Sequence, residues 1–177
     1  MELIQDKQKT VYATLKEACG WKNVMQVPHI EKVVISVGIG SQKDKNKITL
    51  IADRLARITG QKPAKRVTKK AIATYKTRIG DLVGYQVTLR GARARDFLNR
   101  LVHIALPRTK DFKGISIASV DDMGNYTLGL REHTVFPETV DEELKDVFGI
   151  AATIVTTAKS KEEAKAYLTH LGFPFKK

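Results

Sequence analysis

MQVPHIEKVVISVGIG, Met25 through Gly40, enters after Pro28, alternates in polarity and ends in two glycines. From Lys32 onward the odd positions Val33, Ile35, Val37 and Ile39 are bulky and apolar, while Lys32, Val34, Ser36, Gly38 and Gly40 are mostly polar or small. A period of two puts successive side chains on opposite sides of a strand, so one side is buried and the other open. Gly84 through Arg90 repeats the pattern, with Tyr85, Val87 and Leu89 inward and Gln86, Thr88 and Arg90 outward. Asn125 through Arg131 repeats it with Tyr126, Leu128 and Leu130, and Ile150 through Thr157 does so less cleanly. Parallel strands covered on both sides would instead read as unbroken apolar runs. The expected fold class is therefore α+β: a largely antiparallel sheet of four strands, with helices packed on one face and the other face open.

The length, 177 residues, suits one domain with a proper core. With 42% hydrophobic and 28% charged residues the composition is that of a folded protein rather than a disordered tail. No apolar run approaches the roughly 18 residues of a membrane span, and MELIQDKQK lacks the apolar centre of a signal peptide, so a cytoplasmic protein is expected. Cys19 is alone, which excludes an internal disulfide and a cysteine metal cage.

The formal net charge is +12, and it is concentrated. Residues 54 through 110 hold 15 Lys and Arg against Asp81 and Asp96, a net of +13; the remainder, with 16 basic and 17 acidic residues, carries −1. A solubility device would be spread out, whereas concentrated charge of one sign makes a local field that attracts a polyanion. Within it, Lys62, Lys65, Arg66, Lys69, Lys70, Lys76 and Arg78 occupy 17 residues without an acid, interleaved with Thr, Ala and one Tyr. Nucleic acid is the commonest such partner. An anionic membrane surface or acidic protein ranks second, since no helix here sets large aromatics against a lysine-rich face.

Along the chain, Leu3 through Cys19 has helix-forming composition with a loose apolar stripe (Leu3, Ile4, Val11, Leu15, Ala18) and Gly20 as a stop. A second helix is expected from about Lys47 to Thr59, striped by Ile48, Ile51, Ala52, Leu55 and Ile58. A third runs from about Ala92 to Ala105, burying Phe97, Leu98, Leu101, Val102 and Ile104 or Ala105 and leaving Arg93, Arg95 and Arg100 more exposed, until Pro107 stops it. Ile79 through Gly84 reads as a hairpin tip, and Asp121 through Asn125 as a turn. Thr139 with Glu142 and Ser160 with Glu163 fit the capping box, opening a short acidic helix and a last helix whose inner face is Ala164, Tyr167, Leu168 and Leu171.

Catalytic readings find little support. Gly38-Ile39-Gly40 lies between a strand and a helix, but the third glycine of a dinucleotide fingerprint would fall on Lys43. The pair reads as a tight exit turn, or as a place where an RNA backbone approaches residues without side chains. His29, His103, His133 and His170 lack zinc spacing, and His103 reads as a satisfied structural histidine. No nucleophile is accompanied by a base, so no enzyme, cofactor or metal is expected.

Several strings together resemble one family. Asn23-Val-Met-Gln-Val-Pro28, Lys32 through Gly38-Ile-Gly40, Thr59-Gly-Gln-Lys-Pro63, Val87-Thr-Leu-Arg-Gly91, Ala105-Leu-Pro-Arg108, Asp111-Phe112, Gly124-Asn-Tyr126, Phe136-Pro-Glu138 and Thr156-Thr-Ala-Lys159 are similar to bacterial large-subunit ribosomal protein five, the 5S rRNA-binding protein. The resemblance spans nearly the whole chain. It implies a structural protein that docks the open sheet face and adjoining basic segment on 5S rRNA in the central protuberance, beside 23S rRNA and neighbouring large-subunit proteins. Carried over, the rRNA-binding residues are Asn23, Met25, Gln26, Ser36, Gly38, Gly40, Gln61, Lys62, Lys65, Arg66, Lys69, Lys70, Thr88 and Arg90. The resemblance also implies that the loop Lys76, Thr77, Arg78, Ile79, Gly80, Asp81 and Leu82 reaches the peptidyl-site tRNA, and that small-subunit ribosomal protein thirteen is met at an intersubunit bridge. Two positions depart from the family: Ser36 stands where Asn is usual, shortening the polar reach, and Leu82 stands where Pro is common in the hairpin.

Overall fold

A computed structural model of the chain describes residues 3–40, 42, 44–139 and 147–176. In chain order the principal elements are α1 (Ile4–Cys19), β1 (Ile30–Gly38), α2 (Lys45–Thr59), β2 (Ala64–Val67), β3 (Leu82–Leu89), α3 (Gly91–Arg100), β4 (Tyr126–Leu130), β5 (Ile150–Thr156) and α4 (Lys161–Leu171). The strands form one sheet in the order β2-β3-β1-β5-β4, which puts β1 in the middle and β2 and β4 at the edges. The pairing is antiparallel, as the expected α+β class required. Ala64 stands opposite Gln86 and Arg66 opposite Gly84, the Ile39 N–H donates to the Val83 carbonyl at 2.9 Å, and the Thr127 and Thr153 hydroxyls meet at 3.1 Å.

By its contacts the chain divides into two compact units made of interleaved segments. The first comprises Met1–Val33, Leu89–Leu128 and Thr153–Lys177, and the second Val34–Thr88 and Gly129–Ala152. In the first unit Ile4 and Val11 of α1, Ala94, Phe97 and Leu98 of α3, and Ala164, Tyr167, Leu168 and Leu171 of α4 are buried with Val33, Leu89, Tyr126 and Ile154. Asn99 accepts the Ile4 N–H at 3.0 Å, supplying an acceptor to a helix start that has no side-chain cap of its own. In the second unit Ile51, Leu55 and Ile58 of α2 are buried with Ile35, Val37, Tyr85, Val87, Leu130 and Ile150. Removing each such side chain from water contributes about 1.5–3 kcal/mol. The alternating residues of all four expected strands thus turn their apolar side inward.

The structure departs from the sequence reading at four places. A fifth strand, β2, lies inside the basic segment and pairs with β3. In consequence Leu82 through Gly84 belong to a strand, and the hairpin tip spans 68–81 rather than 79–84. Pro107 does not stop the third helix: after α3 the chain widens into a π-helical turn (Leu101–Ala105), with the Leu106 N–H reaching back to Leu101, and closes with a further turn (Leu106–Arg108). A regular helix would drive the proline ring against the carbonyl four residues back, and the wider turn relieves that contact.

His103 is the third departure, because its Nε2 is buried without a hydrogen-bond partner. The fourth is the start of α4. Ser160 accepts the Glu163 N–H at 3.3 Å as the capping box requires, but the Glu163 carboxylate takes the Lys159 N–H at 2.8 Å and the Trp21 indole N–H at 2.7 Å instead of reaching Ser160. The box expected at Thr139 and Glu142 lies partly outside the described residues. The Thr139 hydroxyl itself is buried and donates to the carbonyls of His133 and Phe136.

Two measurements follow from the packing. A Cβ on Gly84 would sit 2.7 Å from the Val37 carbonyl oxygen, a clash with backbone that no rotamer relieves. Gly84→Ala is therefore expected to destabilise the fold by about 1–3 kcal/mol in urea titration, and a cost below a few tenths would refute the close approach. Burial pushes the Tyr126 hydroxyl from its ordinary 10 up to about 12. The raised value belongs to the folded state, so the associated stability is complete below pH ~10 and is lost as pH rises through about 12. Urea midpoints should fall from pH 9 toward 12, and Tyr126→Phe should flatten that slope.

Candidate nucleic-acid interface

Edge strand β2 carries the first half of the basic segment, and all four of its residues are exposed. Because side chains alternate, Lys65 and Arg66 leave the strand on opposite sides. Arg66 shares a side with Gly84 and Gln86, and its Nε donates to the Gln86 side-chain oxygen. Lys65 stands opposite Tyr85, on the side of the core. Lys62, Lys69 and Lys70 are exposed in the flanking segments. Gln61 is half-buried, its backbone tied to the buried Thr59 hydroxyl just past the left-handed Gly60 that ends α2.

The open side of the sheet in this unit carries Ser36 and Thr88, both half-buried, with Gly38 exposed where β1 ends and Gly40 exposed two residues on. Neither glycine is required by the protein's own packing: a Cβ on either would meet nothing within 4 Å, and neither has a positive φ. Gly84 is the contrast, since there the partner strand itself demands the small residue.

The loop 68–81 is closed by one carboxylate in a basic surrounding. Asp81 accepts the Arg78 N–H on its side chain at 2.7 Å, while its own carbonyl accepts the Thr68 N–H at 2.9 Å and the Thr68 hydroxyl at 3.2 Å. Gly80 donates to the Thr68 carbonyl at 3.0 Å, and Ile72 and Thr77 exchange two backbone bonds around a turn at Ala73–Tyr75. Lys76 takes a left-handed φ of +52°, unusual for a residue with a side chain. Of the expected tRNA-contacting residues, Lys76, Arg78, Ile79, Gly80 and Asp81 are exposed, Thr77 is half-buried, and Leu82 is half-buried within β3.

Two residues of this loop were missed in the sequence: Tyr75 is 74% exposed, and Ile72 is also exposed beside it in the chain. A lone tyrosine within an acid-free run of cations was the available signal. Its ring is free to stack on a base.

In the other unit, Asn23 and Gln26 hold each other's turn. The Asn23 side chain accepts the Met25 N–H at 3.1 Å, and the Gln26 side chain accepts the Lys22 and Asn23 N–H groups at 2.8 and 3.4 Å. Their oxygens are committed to this one turn at Val24–Gln26, which leaves the amide NH2 groups as outward donors. The turn presents Met25 with 89% of its surface exposed. Arg90, at the start of α3, faces Glu31 at 3.4 Å, and Lys32 approaches the same carboxylate oxygen at 3.5 Å. These are exposed pairs, worth little on their own and easily exchanged for phosphate. Among the described residues no helix is long and apolar enough to cross a membrane.

Comparison with known proteins matches two family models. Residues 23–78 match the model described as ribosomal protein L5, and residues 82–175 match the model for the C-terminus of the same ribosomal protein family. The chain is 48% identical to large ribosomal subunit protein uL5 of Ureaplasma urealyticum, covering 100% of this chain and 97% of the relative. It is 47% identical to that of Natranaerobius thermophilus, over 98% and 97% of the two chains, and 46% identical to that of a Thermoanaerobacter species, over the full length of both.

Asp81→Ala removes the acceptor that orders the loop's basic end. Because a hydrogen bond to a charged acceptor contributes about 1.5 kcal/mol or more, amide exchange at Arg78 should speed up about tenfold while the urea midpoint barely moves. Unchanged exchange would show that the carboxylate does not hold the loop.

Proposed function

The chain belongs to the ribosomal protein L5 family, and from that premise we propose that it binds 5S rRNA through the open side of its sheet and the basic segment 62–78. As a family member it is a structural protein of the large ribosomal subunit. The proposal adds that the chain works as one domain, fixes 5S rRNA in the central protuberance beside 23S rRNA and neighbouring large-subunit proteins, and performs no chemistry of its own. The observation that carries it is the pair Gly38 and Gly40, small where the protein's own packing leaves room for a side chain. Ribose and phosphate approaching that end of β1 supply the missing reason.

The roles then divide by chemistry. Lys62, Lys69, Lys70 and Arg66 neutralise phosphates; Ser36, Thr88, Gln61 and the amide groups of Asn23 and Gln26 hydrogen-bond sugars or exposed base edges; Met25 packs against a base. Ser36, shorter than the asparagine usual in the family, makes its contact through water. The loop 68–81, pinned by Asp81 and tipped by exposed cations, is the part that reaches peptidyl-site tRNA, and small-subunit protein thirteen is the partner across the intersubunit bridge. Leu82, set in β3, starts the strand, so rigidity at the loop base comes from Asp81 rather than from a proline.

The test is a titration of 5S rRNA and an unrelated structured RNA at several salt concentrations. With about six phosphates neutralised, log affinity should fall with log salt at a slope of about −4 to −5, and 5S rRNA should stay preferred at the highest salt. Arg66→Ala should weaken binding more than Lys65→Ala, since only Arg66 leaves on the open side, and Thr88→Val should narrow the preference between the two RNAs. Equal binding of both RNAs that vanishes with salt would reduce the site to its charge alone and sink the proposal.

A further inference from the structure

Part of the basic excess lies outside the surface assigned above. Along α3 and the turns that extend it, Ala94, Phe97, Leu98, Leu101, Val102, Ala105 and Leu106 face the core. Arg93 and Arg108 are exposed on the remaining side, 15 residues or roughly 20 Å apart at helical rise. Immediately beyond, Lys110 and Lys113 are exposed, and the chain doubles back through Asp111 and Gly114, both with positive φ.

The fold then adds a fifth cation from the other end of the sequence. Ile115 pairs with Phe175 in a parallel bridge, the Ile115 N–H donates to the Pro174 carbonyl at 2.8 Å, and the Lys176 N–H donates to the Ile115 carbonyl at 2.9 Å. Gly114 is held so close to this segment that a Cβ there would touch both the backbone and the side chain of Lys176 at 3.1 Å. Exposed Lys176 is thereby held against Gly114, the residue that follows Lys113 in the chain. Among the described residues none of Arg108, Lys110, Lys113 and Lys176 takes part in an ion pair.

We propose that Arg93, Arg108, Lys110, Lys113 and Lys176 form a second RNA-docking surface, which takes the phosphate backbone of an RNA segment other than the one bound by the open side of the sheet. The proposal rests on the reading of the chain as an RNA-binding protein. Cations at a helix C-terminus also answer the helix dipole, and that alone accounts for Arg108 and Lys110. It does not account for Lys113 and Lys176, which lie outside the helix and whose segments are joined by the Ile115 and Phe175 bridge. Arginine and lysine spaced along a track of this length, where the one large apolar side chain exposed on the helix is Ile104 at 40%, fit a run of phosphates better than a protein partner, whose interface would need a larger apolar centre.

The experiment uses the full chain, 5S rRNA immobilised on a support, and a fluorescent RNA hairpin of about 20 base pairs as the second RNA. Wild-type protein bound to the support should capture the hairpin. The double variant Lys110→Ala with Lys113→Ala should capture it about tenfold less, and its salt slope for hairpin binding should be shallower by about 1.4 to 1.8, while its titration with 5S rRNA stays within twofold of wild type. Unchanged capture in the double variant would overturn the proposal. So would a wild-type complex that captures no hairpin, or one that captures polyglutamate in its place.

A parallel titration of the hairpin with free protein carrying Arg66→Ala and Lys69→Ala separates this idea from the function proposed above. If 5S rRNA binding failed altogether, hairpin affinity that still depended on Lys110 and Lys113 would uphold the second surface by itself. Hairpin affinity indifferent to them would remove it.

Discussion

β1 can bury only one of its two sides, and the arrangement of the sheet follows from that limit. Val33, Ile35, Val37 and Ile39 fill the buried side, so the neighbours of β1 must turn Tyr85, Val87 and Leu89, and Ile150, Ala152 and Ile154, the same way. A slip of one residue on either neighbour would reverse its whole apolar set, which fixes the register more firmly than any single hydrogen bond. Gly84 tightens the constraint on one flank, where it leaves room for the Val37 carbonyl and for nothing else. What remains on the other side is a row of small and polar residues whose composition the core does not decide. Ser36, Thr88 and Gly38 are therefore free to be chosen by something outside the chain.

This division explains which elements were legible in the sequence. The four strands with one buried side carry their own signal, because burial imposes the period of two; α2 and α4 do so through the helical period, and Gly20, Gly60 and Gly172 end their helices in the left-handed region. β2 was illegible for the complementary reason. All four residues of Ala64–Val67 are exposed, so no burial pattern is written into them, and the strand exists because the backbone of β3 offers a free edge. The π-helical turn before Pro107 was equally hidden, since proline reads as a stop unless the preceding turn can widen. The Glu163 carboxylate could not be assigned either, for its partners Trp21 and Lys159 are set by the tertiary fold.

The candidate interface was legible to a different degree. Its charge was plain, since an acid-free run of cations needs no structure to be noticed. Its geometry was not: only the register of β2 against β3 sends Arg66 to the open side and Lys65 to the other. Asn23 and Gln26 show the same limit. Read as contact residues, they prove to build the turn they sit in, with each side-chain oxygen bound to backbone N–H groups and only the amide nitrogens left over. Such a turn costs the ligand little ordering entropy when it binds.

Asp81 ties these points together. An isolated carboxylate among Lys69, Lys70, Lys76 and Arg78 reduces the positive field slightly, which would be a poor choice if the loop's task were only to attract phosphate. Its position shows a different demand. The side chain takes the Arg78 N–H while the same residue's carbonyl holds Thr68, so one residue closes a loop of 14 positions at its base and fixes where the tip begins. The mutual repulsion of the cations would otherwise spread that loop open, and a spread loop would have to be ordered again at each encounter with RNA. One negative charge spent on geometry leaves the remaining positive charge at defined points, and a phosphate backbone of fixed spacing rewards definition more than it rewards one further unit of charge.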